Sequence, residues 1–177
     1  MFRLSGLLGL ALLLAADPAS AQVEPGQTFA AKVVEVTDGD TYDVRRSDGQ
    51  MLTIRLHGVD APESAQPYGN RAAEAARQYV GGRRARVSVE EIGRYGRTVA
   101  SIRVQGGDLG EMLIRDGLAW HYEQYAPNET EYSRLERQAR NANRGLWSQP
   151  SPIAPWEWRD RGAGEPEKDR DCSDFDT

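Results

Sequence analysis

Asp38-Gly39-Asp40-Thr41 opens the stretch that determines this fold, and Arg55-Leu56-His57-Gly58-Val59-Asp60-Ala61-Pro62-Glu63 closes it. Residues 42–46 and 52–56 lie between these segments and alternate in polarity with the two-residue period of half-buried strands. Ser47-Asp48-Gly49-Gln50 joins them with residues typical of a hairpin turn. Residues 33–36 are mostly valine and predict a further strand before Asp38.

A three-stranded meander returns to the edge where it began. The third strand therefore ends beside the turn that joins the first strand to the second. We expect Asp40 and Asp60 to meet on this rim, with Arg55 and Glu63 close by. Three carboxylates on one rim are unfavourable unless a cation joins them.

The chain's composition restricts which cation this could be. Two histidines, His57 and His121, and one cysteine, Cys172, are too few for a usual zinc site. Ligation by oxygen favours calcium, magnesium or manganese. We interpret both histidines as packing or surface residues.

Two more strands and three helices are predicted after this stretch. Residues 72–80 have apolar side chains at helical spacing, and residues 83–89 and 100–104 alternate again. Asp108 and Asn128 are candidate caps for two further helices, which are expected to end at Gly117 and Gly145. The fold class is mainly β with α (α+β), a five-stranded OB-fold barrel with three helices.

The two ends of the chain differ from this core. Residues 1–21 have a positive start, an apolar run and Ala19-Ser20-Ala21, the pattern of a signal peptide cleaved before Gln22. We therefore expect a secreted or periplasmic protein. Residues 22–29 are assigned to an N-terminal lead and 30–148 to the barrel. Residues 149–177 are assigned to a strap rich in proline and tryptophan that continues into an acidic, disordered tail from about Asp160.

Net charge argues against a protein that binds polyanions over its whole surface. The formal net charge is −5, and the segment from Asp160 onward contributes seven acidic and three basic side chains to it. The rest of the mature chain is close to neutral, so the basic excess of such a binder is absent. A polyanionic partner must be held by local arginine clusters.

The segments quoted above, with three later ones, resemble the staphylococcal-nuclease-like (thermonuclease) family in composition and order. The later ones are Arg94-Tyr95-Gly96-Arg97, Gly117-Leu118-Ala119 and Gly145-Leu146-Trp147. The resemblance implies one calcium ion held by the carboxylates of Asp40 and Asp60 and the carbonyl of Ala61, with Asp38 acting through water. It also implies that Glu63 is the general base, and that Arg55 and Arg97 clamp the scissile phosphate. Alanine at Arg55, Glu63 or Arg97 is expected to lower turnover and leave the fold intact.

The same resemblance implies hydrolysis of single-stranded or locally melted DNA and RNA at the P–O5′ bond, leaving 3′-phosphates. Expected substrate contacts are Arg94 and Tyr95 in the clamp loop, and Tyr122 and Tyr125, which flank the family's tyrosine position at Glu123. We expect a monomer without membrane contact after signal cleavage. The alternative is a catalytically silent OB module that binds nucleic acid or protein. Because all the acids and arginines of the site are present, the enzyme is favoured.

Overall fold

Five strands close into a barrel in the computed structural model, which describes residues 22–93, 96–105 and 107–164. The barrel strands are β1 (Thr28–Val36), β2 (Thr41–Arg46), β3 (Met51–Leu56), β5 (Arg84–Ile92) and β6 (Thr98–Val104). Neighbours pair antiparallel in the order β3-β2-β1-β5-β6, and a parallel pairing of β3 with β6 closes the barrel. The α+β class and the OB-type barrel are thereby confirmed. The predicted signal peptide and most of the acidic tail lie outside the described residues.

Alternation along the strands fills the barrel interior. Each barrel strand has at least one fully buried side chain on its inward face, and these include Val33, Val44, Ile54, Val87 and Ile102. Their neighbours in sequence point outward, as the two-residue period requires. The first strand starts at Thr28, inside the segment that the sequence assigned to a lead.

Three short strands extend this framework: β4 (Val59–Asp60), β7 (Gly107–Asp108) and β8 (Trp120–His121). Antiparallel pairing of β4 with β8 places Asp60 opposite Trp120. This pairing brings the segment that contains Tyr122 to the rim where Asp60 lies.

The three predicted helices are present as α1 (Gly69–Val80), α2 (Leu109–Arg115) and α3 (Thr130–Asn141). Asp108 caps α2 as predicted, because its carboxylate accepts a hydrogen bond of 3.1 Å from the Glu111 N–H. The prediction that Asn128 caps α3 is wrong: Glu129 occupies the cap position and makes no side-chain cap hydrogen bond.

Gly145 does not end α3, which is a second correction. The helix ends at Asn141, and a short 3₁₀ helix runs over Gly145–Ser148. Gly145 has φ +53°, and a Cβ there would lie 2.2 Å from the carbonyl oxygen of Gly117. Glycine is therefore required because two backbone segments touch at this point.

A fourth helix, α4 (Pro155–Gly164), lies within the predicted strap and includes Asp160, from about which a disordered tail was expected. Proline at its first position is a common helix start, because φ is already helical and no N–H is needed. Trp156 packs edge to face on Trp120 and stacks parallel on Tyr122, with ring centroids 5.6 and 4.8 Å apart. Among the described residues, no helix is both long and apolar enough to cross a membrane.

Candidate active site

The meander brings Asp40 and Asp60 together at the barrel rim, as the sequence predicts. Asp40 is 1 % exposed and Asp60 is fully buried. The carbonyl of Asp40 accepts from the Leu56 N–H at 2.8 Å, and its Oδ2 accepts from the Ala61 N–H at 2.5 Å. These two contacts fix the acidic turn against the end of β3 and the residues that follow it.

The guanidinium of Arg55 bridges the two buried carboxylates. Its Nη1 pairs with Asp40 Oδ1, and its Nη2 donates to Asp60 Oδ1 at 2.5 Å. A buried carboxylate needs such a cationic partner because burial removes its hydration. Arg55 therefore compensates charge within the fold as well as lining the adjoining cleft.

The acidic turn itself leaves no space for a larger residue at its centre. A Cβ at Gly39 would lie 2.5 Å from the Cβ of Ala61 and 2.9 Å from that of Ala72 on α1. Asp38 accepts a hydrogen bond of 3.0 Å from the Asp40 N–H. In this structure Asp38 therefore stabilises the turn that positions Asp40.

Glu63 lies at the edge of the same site with its side chain 38 % exposed. Its N–H donates to Gln66 Oε1 at 3.1 Å, and the buried Gln66 in turn donates to the Ile153 carbonyl at 2.6 Å. The loop that carries Glu63 is therefore tied to the segment that leads into α4.

Arg159 of α4 is the residue that sequence reasoning missed. Its Nη1 donates to Glu63 Oε1 at 2.6 Å and to Asp60 Oδ1 at 3.2 Å, and its Nη2 donates to Asp60 Oδ2 at 2.8 Å. The available signal was Pro155, a helix start that would have placed residue 159 within an ordered element. Nothing in the local pattern indicated that this helix reaches the site, 99 positions from Asp60.

A cleft of about 880 Å³ adjoins these residues. Its lining includes Arg55, Arg97, Tyr122, Tyr125 and Arg159. Arg97 is exposed and follows Gly96, whose φ of +74° shapes the tight loop between β5 and β6. Arg94 and Tyr95, which were predicted to bind substrate, lie outside the described residues.

The two predicted tyrosines form an aromatic wall of the cleft. Tyr125 is 59 % exposed and meets Tyr122 edge to face, with ring centroids 4.8 Å apart. Burial, followed by the nearby charges of Tyr125 and Asp60, raises the pKa of Tyr122. The hydroxyl therefore stays neutral at physiological pH. Glu123 is exposed in the turn between them.

His121 has a packing role, as interpreted from the sequence, whereas His57 is among the residues that line the cleft. His121 is buried, and its Nε2 and Nδ1 lie 2.9 Å from the Ala126 carbonyl and 3.1 Å from the Ser133 hydroxyl. His57 is half-buried, and its backbone N–H donates to the Ala100 carbonyl. The imidazole of His121 is therefore engaged within the fold.

The donor set of the rim suits a hard divalent cation. Asp40, Asp60 and the Ala61 carbonyl offer only oxygen, the donor type that such cations prefer, and arginine side chains pair with both buried carboxylates in this structure. Within the described ranges, no group of three or more histidine, cysteine, aspartate or glutamate side chains could hold a metal. A cation here would thus have two carboxylate ligands and complete its shell with carbonyl and water oxygen.

The OB-type barrel carries two buried acids and several arginines beside one cleft. This combination of charges is suited to binding an anionic ester. The chain belongs to the family described as Staphylococcal nuclease homologue, whose model matches residues 53–149. That range contains Arg55, Asp60, Glu63 and Arg97, whereas Asp40 precedes it.

Two bacterial relatives resemble nearly the whole chain. A micrococcal nuclease from Shigella flexneri is 33 % identical over 165 residues, which cover 88 % of this chain and 94 % of that protein. Protein ParB from Escherichia coli is 36 % identical over 160 residues, covering 85 % and 86 % respectively. A probable staphylococcal-like nuclease from Oryza sativa subsp. japonica is 44 % identical over 106 residues, 60 % of this chain. The chain matches 32 % of the length of that rice protein.

Proposed function

We propose that this chain is an exported, calcium-dependent nuclease that hydrolyses phosphodiester bonds of DNA and RNA. The family and the nuclease names of its relatives support the nuclease class. The observation that carries the proposal is the convergence of Asp40, Asp60, Arg55 and Glu63 on one rim beside a cleft that Arg97 also lines. The predicted signal peptide supports export to the periplasm or the medium.

Asp40, Asp60 and the carbonyl of Ala61 are the residues that would hold one calcium ion. When bound, calcium neutralises part of the charge that develops on the phosphoryl oxygens. Ala61 is 4 % exposed, and its N–H is already fixed by Asp40, so its backbone orientation is set by the fold. Asp38 contributes by holding the turn.

The arginines bind and orient the phosphate. A guanidinium presents planar paired donors to phosphate oxygens and keeps its charge at any physiological pH. Arg55 reaches the cleft from the barrel, and Arg97 reaches it from the loop between β5 and β6. Two such groups in one cleft can together hold the phosphate in one orientation.

Glu63 accepts the proton of the attacking water. Its carboxylate is partly exposed at the site edge, where water reaches it, and is anchored through the bonds of its loop to Gln66. Direct attack by water inverts phosphorus, cleaves the P–O5′ bond and leaves a 3′-phosphate. Tyr122 and Tyr125 supply a wall on which an unstacked base can pack, which favours single-stranded or locally melted substrate. Arg94 and Tyr95 are proposed to extend this contact, and the enzyme is proposed to act as a monomer away from the membrane.

The deciding experiment incubates the mature protein with end-labelled single-stranded DNA and RNA, in calcium and then in excess EGTA. We expect cleavage in calcium only, with 3′-phosphate ends. Glu63→Gln should lower the rate about 10²-fold or more, the usual loss for a general base. Glu74→Gln, which alters an exposed residue of α1, is the matched control. Binding without calcium-dependent cleavage would favour the catalytically silent OB module.

A further inference from the structure

Helix α4 carries a guanidinium onto the two acids that define the candidate active site. Arg159 contacts both oxygens of Asp60 and one oxygen of Glu63, at 2.6–3.2 Å. Asp60 is fully buried, whereas the side chain of Arg159 is 42 % exposed. Arg159 therefore gives the buried carboxylate of Asp60 a positive partner and itself remains partly hydrated.

Packing holds this helix in place. One turn before Arg159, Trp156 stacks on Tyr122 with planes 9° apart and meets Trp120 edge to face. Ala154 is 2 % exposed, and the neighbouring Ile153 carbonyl accepts from the buried Gln66. The position of Arg159 is thus set by the tertiary fold, in contrast to Arg161, which lies 4.0 Å from Glu157 on an exposed face.

Arg159 uses the oxygens that a divalent cation would need. Asp60 Oδ1 accepts from Arg55 and Arg159, and Oδ2 accepts from Arg159. A cation that binds Asp60 through the remaining lone pair of Oδ2 would lie beside the Arg159 guanidinium, which donates to the same oxygen. A guanidinium and a divalent ion also repel each other strongly when they share one carboxylate at contact distance.

We propose that Arg159 is an intramolecular competitor of the divalent cation. Its single positive charge is shared between Asp60 and Glu63, and cation binding requires its guanidinium to leave Asp60. The competition rests on the proposed metal site and sets the calcium concentration at which that site fills. A released Arg159 remains beside the cleft, which it already lines.

Isothermal titration calorimetry of calcium binding tests this competition in the full mature chain, without reference to activity. Arg159→Gln removes the competing charge and should bind calcium about tenfold tighter or more, the effect expected of a charge-assisted hydrogen bond. Arg161→Gln removes the same charge from the same helix, away from the site, and should bind as the wild type does. Thermal unfolding of each variant establishes that it is folded.

The possible outcomes separate the two proposals. If the calcium affinity of Arg159→Gln rises no more than that of Arg161→Gln, the proposed competition is wrong and the metal assignment is unaffected. Weaker binding in Arg159→Gln would likewise overturn the competition. Calcium binding that is absent from all three proteins would overturn the metal assignment, and the competition with it.

Discussion

At the scale of single residues, Arg55 combines a structural role with its proposed catalytic role. It bridges Asp40 and Asp60, both buried, and it also lines the cleft proposed to bind phosphate. Arg97 has only the second task, because it is exposed in a loop and lies against no buried acid among the ion pairs of the described residues. The two arginines assigned the same role by the sequence therefore differ in what the fold requires of them.

Substitution of each arginine should separate these tasks. In EGTA, Arg55→Gln is expected to lower the free energy of unfolding by about 3 kcal/mol, because it leaves the buried Asp40 without its cationic partner, whereas Asp60 keeps Arg159. Arg97→Gln should change it by less than about 0.5 kcal/mol. Both should lower turnover about 10²-fold or more. Urea unfolding and single-turnover assays measure the two effects, and equal stability losses would contradict the assignment. The loss of stability expected for Arg55→Gln differs from the sequence-based expectation that substitution of Arg55 leaves the fold intact.

At the scale of secondary-structure elements, part of the candidate site could be predicted from the sequence and part could not. The rim formed by Asp40, Asp60 and Arg55 followed from strand periodicity, because a meander must return to its starting edge. The predicted C-terminal end of α3 at Gly145 was wrong. Gly145 is required by a close backbone contact with Gly117, which the local sequence pattern does not indicate. Arg159 was missed for a similar reason. Its position depends on the packing of Trp156 against Tyr122, a contact that only the tertiary structure reveals.

The acidic turn between β1 and β2 depends on the absence of a side chain at Gly39. Gly39→Ala places a methyl group against Ala61 and α1, which must shift the turn that holds Asp40. We expect a loss of about 1–3 kcal/mol in unfolding free energy, the usual cost of overpacking, together with weaker calcium binding. Gly49→Ala is the control, because its φ of +91° makes alanine strained but no atom lies within 4 Å. That variant should lose stability and keep its calcium affinity. Unchanged calcium binding in Gly39→Ala would show that the turn does not position Asp40.

Helix α3 buries an acid that reduces stability at neutral pH. Burial raises the pKa of Glu136, and this outweighs its pairing with Arg140 at 3.2 Å. The wild type therefore loses stability, relative to a neutral side chain, as pH rises through the raised pKa. Glu136→Gln should be more stable than the wild type at pH 7, and the difference should vanish below the unfolded pKa of about 4.3. Chemical unfolding at both pH values measures it, and a pH-independent difference would contradict the burial effect.

The candidate site joins parts of the whole molecule that are distant in sequence. The turn before β2, the end of β3 and helix α4 all contribute charged groups to it, and Arg159 lies 99 positions from Asp60. A ligand of this site binds the folded chain and has no comparable site in the unfolded one, because unfolding separates these segments. Binding must therefore stabilise the whole domain, by a free energy that rises with the logarithm of the ligand concentration above the dissociation constant.

Calcium should raise global stability through this linkage. At 100 times its dissociation constant, the free energy of unfolding is expected to rise by about 2.7 kcal/mol. Asp40→Asn should abolish most of the gain, because it removes a charged ligand. Asp48→Asn should retain the gain, because Asp48 lies in the exposed hairpin turn. Thermal unfolding with and without calcium measures the difference for each protein. An equal gain in Asp40→Asn would place the cation elsewhere on the molecule and remove the basis for assigning Asp40 to the metal.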